Sequence, residues 1–170
     1  KLLAVLEDCS EDLQLIYKKL NITKIYSDGY VDVKGDVSLN NLKLKTIPFK
    51  FRKIFGDFDV SENRLESFSN FPEQVIGSIF INNNLFTSLE GCQSKIEGIF
   101  DCSYNSLESL EHGPVRVDYS YFCEGNPLLT YNGISKNIGE DFIAPKIEGV
   151  EKKEIKQLSK IKGDIVFVRS

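Results

Sequence analysis

Between residues 35 and 131, apolar and polar positions recur at a fixed interval. Phe58, Ile79, Phe100 and Tyr121 are each 21 residues apart. Val60, Ile81, Cys102 and Cys123 keep that spacing, as do Leu65, Phe86, Leu107 and Leu128. So do Gly35, Gly56, Gly77 and Gly98, and Asn63, Asn84, Asn105 and Asn126. A period of this length predicts a solenoid, because so short a unit can bury its apolar face only against its neighbours. Each unit aligns as apolar-x-apolar-x-x-Asn-x-apolar-x-x-apolar, carried in the second unit by Phe58, Val60, Asn63, Leu65 and Phe68. The alternation before the Asn has period two and predicts a short strand. The wider spacing after it predicts a turn and a loose return arm. Pro48, Pro72 and Pro114 fall on those arms, where no strand pairing is expected. The Asn itself is expected to face inward at a bend, its amide satisfying backbone donors and acceptors as a ladder from rung to rung.

The repeat frame sets the expected organisation. The array spans 35–131 in four to five rungs, with Leu42 replacing Asn in the first unit and the pattern diverging after Asn126. Residues 1–34 form an N-terminal cap. In it Leu13, Ile16, Tyr17 and Leu20 make one helix face, Ser10 is the N-cap and Asn21 the C-cap, and Asp28-Gly29 turns a hairpin. Residues 132–170 form a C-terminal cap. A helix over 150–163 is predicted to put Ile155, Leu158 and Ile161 inward and to end at Gly163, followed by a buried strand over 164–168. The fold class is therefore an α/β repeat, with both caps closing the open ends of a solenoid.

Composition removes several functional classes. No stretch approaches the roughly 18 apolar residues of a membrane span, and Glu7 and Asp8 interrupt the apolar start, so neither a membrane anchor nor a signal peptide is read. A net charge of −4 argues against a nucleic-acid surface. The lysines of the C-terminal helix read as its wet side. Cys9, Cys92, Cys102 and Cys123 make no CxxC pair and no zinc spacing. Cys102 and Cys123 sit at one position on adjacent rungs, so a disulfide is sterically conceivable. A reduced thiol filling the place taken by Val60 and Ile81 suits the position better and points to the cytoplasm. The single His112 has no nucleophile beside it in the repeat frame, and there is no phosphate-cradling glycine loop. No catalytic residue, metal site or cofactor is expected.

The unit Phe58, Val60, Asn63, Leu65, Phe68 resembles the leucine-rich repeat, whose signature is L-x-L-x-x-N-x-L-x-x-L. The match recurs at Ile79, Ile81, Asn84, Phe86, Leu89 and at Phe100, Cys102, Asn105, Leu107, Leu110. The pieces Asp28–Val37, Ile47–Phe51, Ser88–Gly91 and Gly98–Leu110 are further similar to leucine-rich-repeat-like proteins of tailed bacteriophages of the T4-like type. The resemblance covers residues 24–130 and implies a short leucine-rich-repeat-like solenoid, a phage origin and a binding role on the concave strand face. It carries over no chemistry.

On each strand the outward positions lie between the inward ones. Those expected to form a protein-binding face are Asp57, Asp59, Ser78, Phe80, Asn82, Ile99, Asp101, Ser103, Phe122 and Glu124. Phe80, Ile99 and Phe122 have no inward role in this register and stand among carboxylates. Aromatic anchors inside a polar rim are the composition of a protein interface, and the acidic bias selects a basic partner. The leading expectation is a non-enzymatic module that occupies a host protein, such as a defence or regulatory factor. A structural or accessory virion component is the alternative, and an enzyme with a site in residues 131–170 is a second one.

Overall fold

The computed structural model describes residues 10–168; Cys9 and the apolar start lie outside them. Helix α1 (Glu11–Lys19) opens the described chain, its first turn closed by the Leu13 N–H donating to Oγ of the N-cap Ser10 at 3.4 Å. It ends one residue earlier than expected, with Leu20 rather than Asn21 as C-cap and the Leu20 N–H donating to the Tyr17 carbonyl. Leu13 is buried and the Tyr17 ring lies 4.8 Å from Phe49, so the helix lids the first coil as expected. The hairpin β1 (Ile22–Ile25) and β2 (Val31–Lys34) follows, antiparallel across the Asp28-Gly29 turn.

From there each coil adds two strands. In chain order they are β3 (Val37–Ser38) and β4 (Phe51–Phe55), β5 (Phe58–Asp59) and β6 (Gln74–Val75), β7 (Ile79–Phe80) and β8 (Lys95–Ile96), β9 (Phe100–Asp101) and β10 (Arg116–Val117), then β11 (Tyr121–Phe122) and β12 (Asn137–Ile138). The last are β13 (Phe142–Pro145), helix α2 (Lys152–Leu158), β14 (Lys160–Ile161) and β15 (Ile165–Val168). The odd strands from β3 to β15 stack into one parallel seven-stranded sheet. The return strands form two four-stranded sheets, β1-β2-β4-β6 and β8-β10-β12-β14. The molecule is an α/β repeat solenoid of about seven turns.

Three expectations are corrected. The return arm is not loose: it carries its own strand ladder, with one inward residue per rung at Ile54, Val75, Ile96, Val117 and Ile138. The prolines stand before those strands, outside them, as expected. The array does not stop at residue 131: Phe142 pairs with Tyr121 and Ile165 with Phe142, so seven rungs replace four to five. The predicted helix over 150–163 is shortened to Lys152–Leu158. Ile155 is buried, but Leu158 is exposed and Ile161 has joined the return ladder. Here strand pairing with β12 outweighs a weak helical pattern.

The corners are built by polar ladders. Asn84 Oδ1 accepts from the Leu65 N–H at 2.9 Å, and its Nδ2 donates to the Val60 carbonyl at 2.9 Å and the Ile81 carbonyl at 3.1 Å. Asn63, Asn105 and Asn126 repeat this bridge to the preceding rung. All four are buried. At this corner the chain turns through a left-handed residue on the first five rungs: Asn41, Glu62, Asn83, Tyr104 and Gly125. At the opposite corner Asn70, Gly91, His112 and Gly133 do the same. A left-handed residue with a side chain costs about 1 kcal/mol or more, which the buried amide bonds offset. At Gly125 a side chain is also excluded by space, since the Tyr104 ring lies where a Cβ would be.

The core is a stack of aromatic and aliphatic rungs. In the N-terminal half, ring contacts run Phe49–Phe51–Phe58–Phe71–Phe86; in the C-terminal half they run Phe100–Tyr121–Phe142–Tyr131. Each fully buried ring contributes about 1.5–3 kcal/mol of burial. Cys102 and Cys123 are fully buried free thiols, and with Cys92 they are the free cysteines among the described residues. Burial pushes the Cys102 and Cys123 thiols well above the usual range.

Candidate functional site

The seven-stranded sheet has one row of core residues, Val37, Phe58, Ile79, Phe100, Tyr121, Phe142 and Ile165, all buried. Because side chains alternate across a strand, the next residue of each rung faces outward. The register aligns those residues directly: Asp59 beside Phe80, then Asp101, Phe122, Ile143 and Val166. Strands lie about 4.8 Å apart, so the two aspartates, and likewise the two phenylalanines, are about 9.6 Å apart. The first four of these are half-buried, as is Ile143, while Val166 is exposed. Asn82 and Glu124 flank this row at half-buried positions.

The carboxylates of this row are held by their own rungs. Asp59 Oδ1 accepts from the Ser61 N–H at 2.9 Å and from Ser61 Oγ at 2.6 Å. Asp101 Oδ1 accepts from the Ser103 N–H at 2.9 Å and from Ser103 Oγ at 2.5 Å. Such two-residue Asp-to-backbone bonds stabilise the bend that follows. Burial pushes the Asp101 carboxyl up, the Ser103 bonds pull it down, and the Asp59 charge adds to the rise. Glu124 is also pushed up, first by burial and then by Asp101, with its own backbone N–H opposing. Glu124 Oε2 is shielded from solvent and takes no hydrogen bond. Among the described residues none of these three acids makes an ion pair, so they form a line of uncompensated negative charge.

Four expected members of the face are corrected. Ser78 and Ser103 are buried, at 8% and 3% exposed, because their hydroxyls are consumed within the fold. Ser103 binds Asp101, while Ser78 Oγ accepts from the Ile99 N–H at 3.1 Å. Asp57 belongs to that same ladder: its Oδ1 accepts from the Ser78 N–H at 2.7 Å, just as Asp36 Oδ1 accepts from the Asp57 N–H at 2.8 Å. Ile99 is half-buried on this entry row, away from the Asp59–Phe122 line. Asp57, Ser78, Ile99 and Ser103 therefore build the sheet edge, and Asp59, Phe80, Asp101 and Phe122 with Asn82 and Glu124 compose its face.

Ile143 and Val166 extend the row and were not among the expected residues. Ile143 lies 21 residues after Phe122, a signal present in the chain. Val166 lies 23 beyond Ile143, so α2 breaks the period before it. His112 is exposed at a left-handed corner. Among the described residues no group of three His, Cys, Asp or Glu side chains could hold a metal ion, and no helix is long and apolar enough to cross a membrane. No family model, no curated protein and no solved structure matches the chain.

Proposed function

We propose that the protein is a binding module whose seven-stranded face takes a basic protein partner. The observation that carries this reading is the register that lines up Asp59, Phe80, Asp101, Phe122, Ile143 and Val166 across adjacent rungs. Aromatic and aliphatic side chains supply desolvated anchors, and truncating one anchor at an interface typically costs about 2 kcal/mol or more. The underpartnered carboxylates steer a cationic partner and fix its position along the row. A repeat array suits this task because its rungs are rigid and each presents one reading position. For a chain that resembles leucine-rich-repeat-like proteins of tailed phages, the partner is a host protein and the outcome of occupancy is inhibition or redirection of that protein.

The test is co-purification from host lysate with mass spectrometry, comparing the native chain with Phe80→Ala/Phe122→Ala. Both side chains point away from the core row, so circular dichroism and the thermal midpoint should hold while the captured protein disappears. Asp59→Lys/Asp101→Lys should slow association and reverse its salt dependence. Changes at Arg64 and Glu66, exposed past the Asn corner, should leave capture intact. Capture that survives the phenylalanine pair would remove the face from consideration.

A further inference from the structure

The opposite side of the solenoid has the reverse chemistry. On the outward side of the C-terminal return sheet, Lys95, Arg116, Asn137 and Lys160 are direct register neighbours. A cleft of about 190 Å³ opens along this row, lined by Arg116, Asp118, Asn137, Gly139, Lys160 and Lys162 over the Val117 and Ile138 strands. Gly139 lets the rungs close beneath it: a Cβ there would run into the Asp118 carbonyl of the preceding rung, so the rung spacing requires glycine.

The charges of the cleft do not cancel. Asp118 accepts from Arg116 Nε and lies 3.7 Å from the Lys95 ammonium, while Lys95 also pairs with Glu97 at 3.0 Å. The Arg116 contact, then Coulomb attraction to Arg116 and Lys95, holds the Asp118 carboxyl below its ordinary range. Asp118 thus orients Arg116 by one nitrogen and leaves the ends of its guanidinium fork unused. Lys160 and Lys162 are exposed and make no ion pair among the described residues. Three cations and one carboxylate leave two positive charges around a cleft that also offers the Asn137 amide, in a chain of net charge −4. A planar guanidinium fork beside two ammonium groups is a donor set suited to phosphate oxygens.

We propose that this cleft binds a small phosphoanion of the diphosphate class, independently of the partner face on the opposite sheet. Titrating inorganic diphosphate into the whole chain should shift the amide resonances of Asn137, Gly139 and Lys162. Lys160→Ala/Lys162→Ala should weaken binding about tenfold or more, the scale of one lost charge-assisted bond. Lys152→Ala/Lys153→Ala on α2 removes the same charge outside the cleft and should change it less than twofold. Both variants keep the interior, so unchanged thermal midpoints certify the comparison. Absence of binding at millimolar diphosphate would overturn the proposal. So would an equal loss in the α2 variant, which would make the effect one of general charge. A single-stranded oligonucleotide that binds while diphosphate does not would also overturn it, because the cleft would then be one stretch of a polyanion track.

Discussion

The two strand ladders of this solenoid descend from one repeat and behave differently. The odd-numbered ladder runs unbroken through seven strands, while the return ladder is split between β6 and β8. At the break, the Gln93 side chain stands in for a neighbouring strand. Its Oε1 accepts from the Val75 N–H at 2.8 Å, and its Nε2 donates to the Val75 carbonyl at 3.0 Å and the Lys95 carbonyl at 2.5 Å. Four rungs of the unbroken ladder end at a buried Asn that serves backbone groups on two rungs. The return ladder meets its corner with a less regular set, including Ser135 Oγ donating to the Pro114 carbonyl and Ser159 Oγ to the Ser135 carbonyl. Between β3 and β11 every junction of the ladder is bridged by such an Asn, while β13 and β15 join it without one. The two faces also divide the charge, with acids and aromatics on the continuous ladder and uncompensated cations on the C-terminal part of the return ladder.

This contrast can be broken from either side. Asn84→Ala should produce the largest effect, about 1–3 kcal/mol of stability by urea or guanidinium denaturation, because it orphans the buried Leu65 N–H and leaves the Val60 and Ile81 carbonyls with one amide donor each, from Asn63 and Asn105. A loss below about half a kcal/mol would mean the corner ladder is not what joins the rungs. Gln93→Ala should cost less, about 1 kcal/mol, since the splint is half-buried and water can reach part of the gap. A Gln93 loss equal to that of Asn84 would erase the distinction between the ladders.

Thiol labelling sharpens the comparison kinetically. In a Cys9→Ser background, Cys92, half-buried on the return arm beside the break, should react before Cys102 and Cys123. All three should be slow at neutral pH, since burial pushes even the Cys92 thiol up to about 12. Cys102 and Cys123 should label only with global unfolding, and early labelling of either would show that the continuous ladder opens locally.

The smallest expected effect is electrostatic. Folding raises the Asp101 and Glu124 carboxyls, so the native state holds their protons more tightly than the unfolded chain does. Their contribution therefore favours folding below the ordinary carboxylate range and falls away as pH rises through the raised native values. Asp101→Asn should flatten the difference in stability between acid and neutral pH, measured against the parent chain. The same protonation should weaken capture of a basic partner as pH falls. A capture profile that strengthens toward acid would contradict the role of these carboxylates.

How much was legible in the chain differs between the same two ladders. The odd strands announce themselves because four successive rungs place two inward residues in alternation and then an Asn, as in Phe58, Val60 and Asn63. Return strands such as Arg116–Val117 offer a single inward residue, and one apolar residue has no period within its own rung. Their signal lies only in the recurrence of Ile54, Val75, Ile96, Val117 and Ile138 at 21-residue intervals. Only the last coil was hidden by α2, which displaces Ile165 from the interval; Phe142 and Ala144 keep it after Tyr121 and Cys123. On the outer face of the seven-stranded sheet, Asp59, Phe80, Asp101 and Phe122 could be placed by alternation alone. The inward use of the Ser78 and Ser103 hydroxyls could not, because it depends on partners one rung away or at a bend.

By itself, then, the amino-acid sequence determined the repeat length, the inward register of the odd strands, the Asn corners and the helical lid at the N-terminal end. These follow from local periodicity and from groups that must be satisfied wherever the chain bends. Only the tertiary structure decided that return arms pair into strands, that the array continues to Ile165, and that Arg116, Lys160 and Lys162 share one cleft. Those outcomes rest on which rungs become neighbours, and two-residue strands acquire their pairing only when the coils on either side are already stacked.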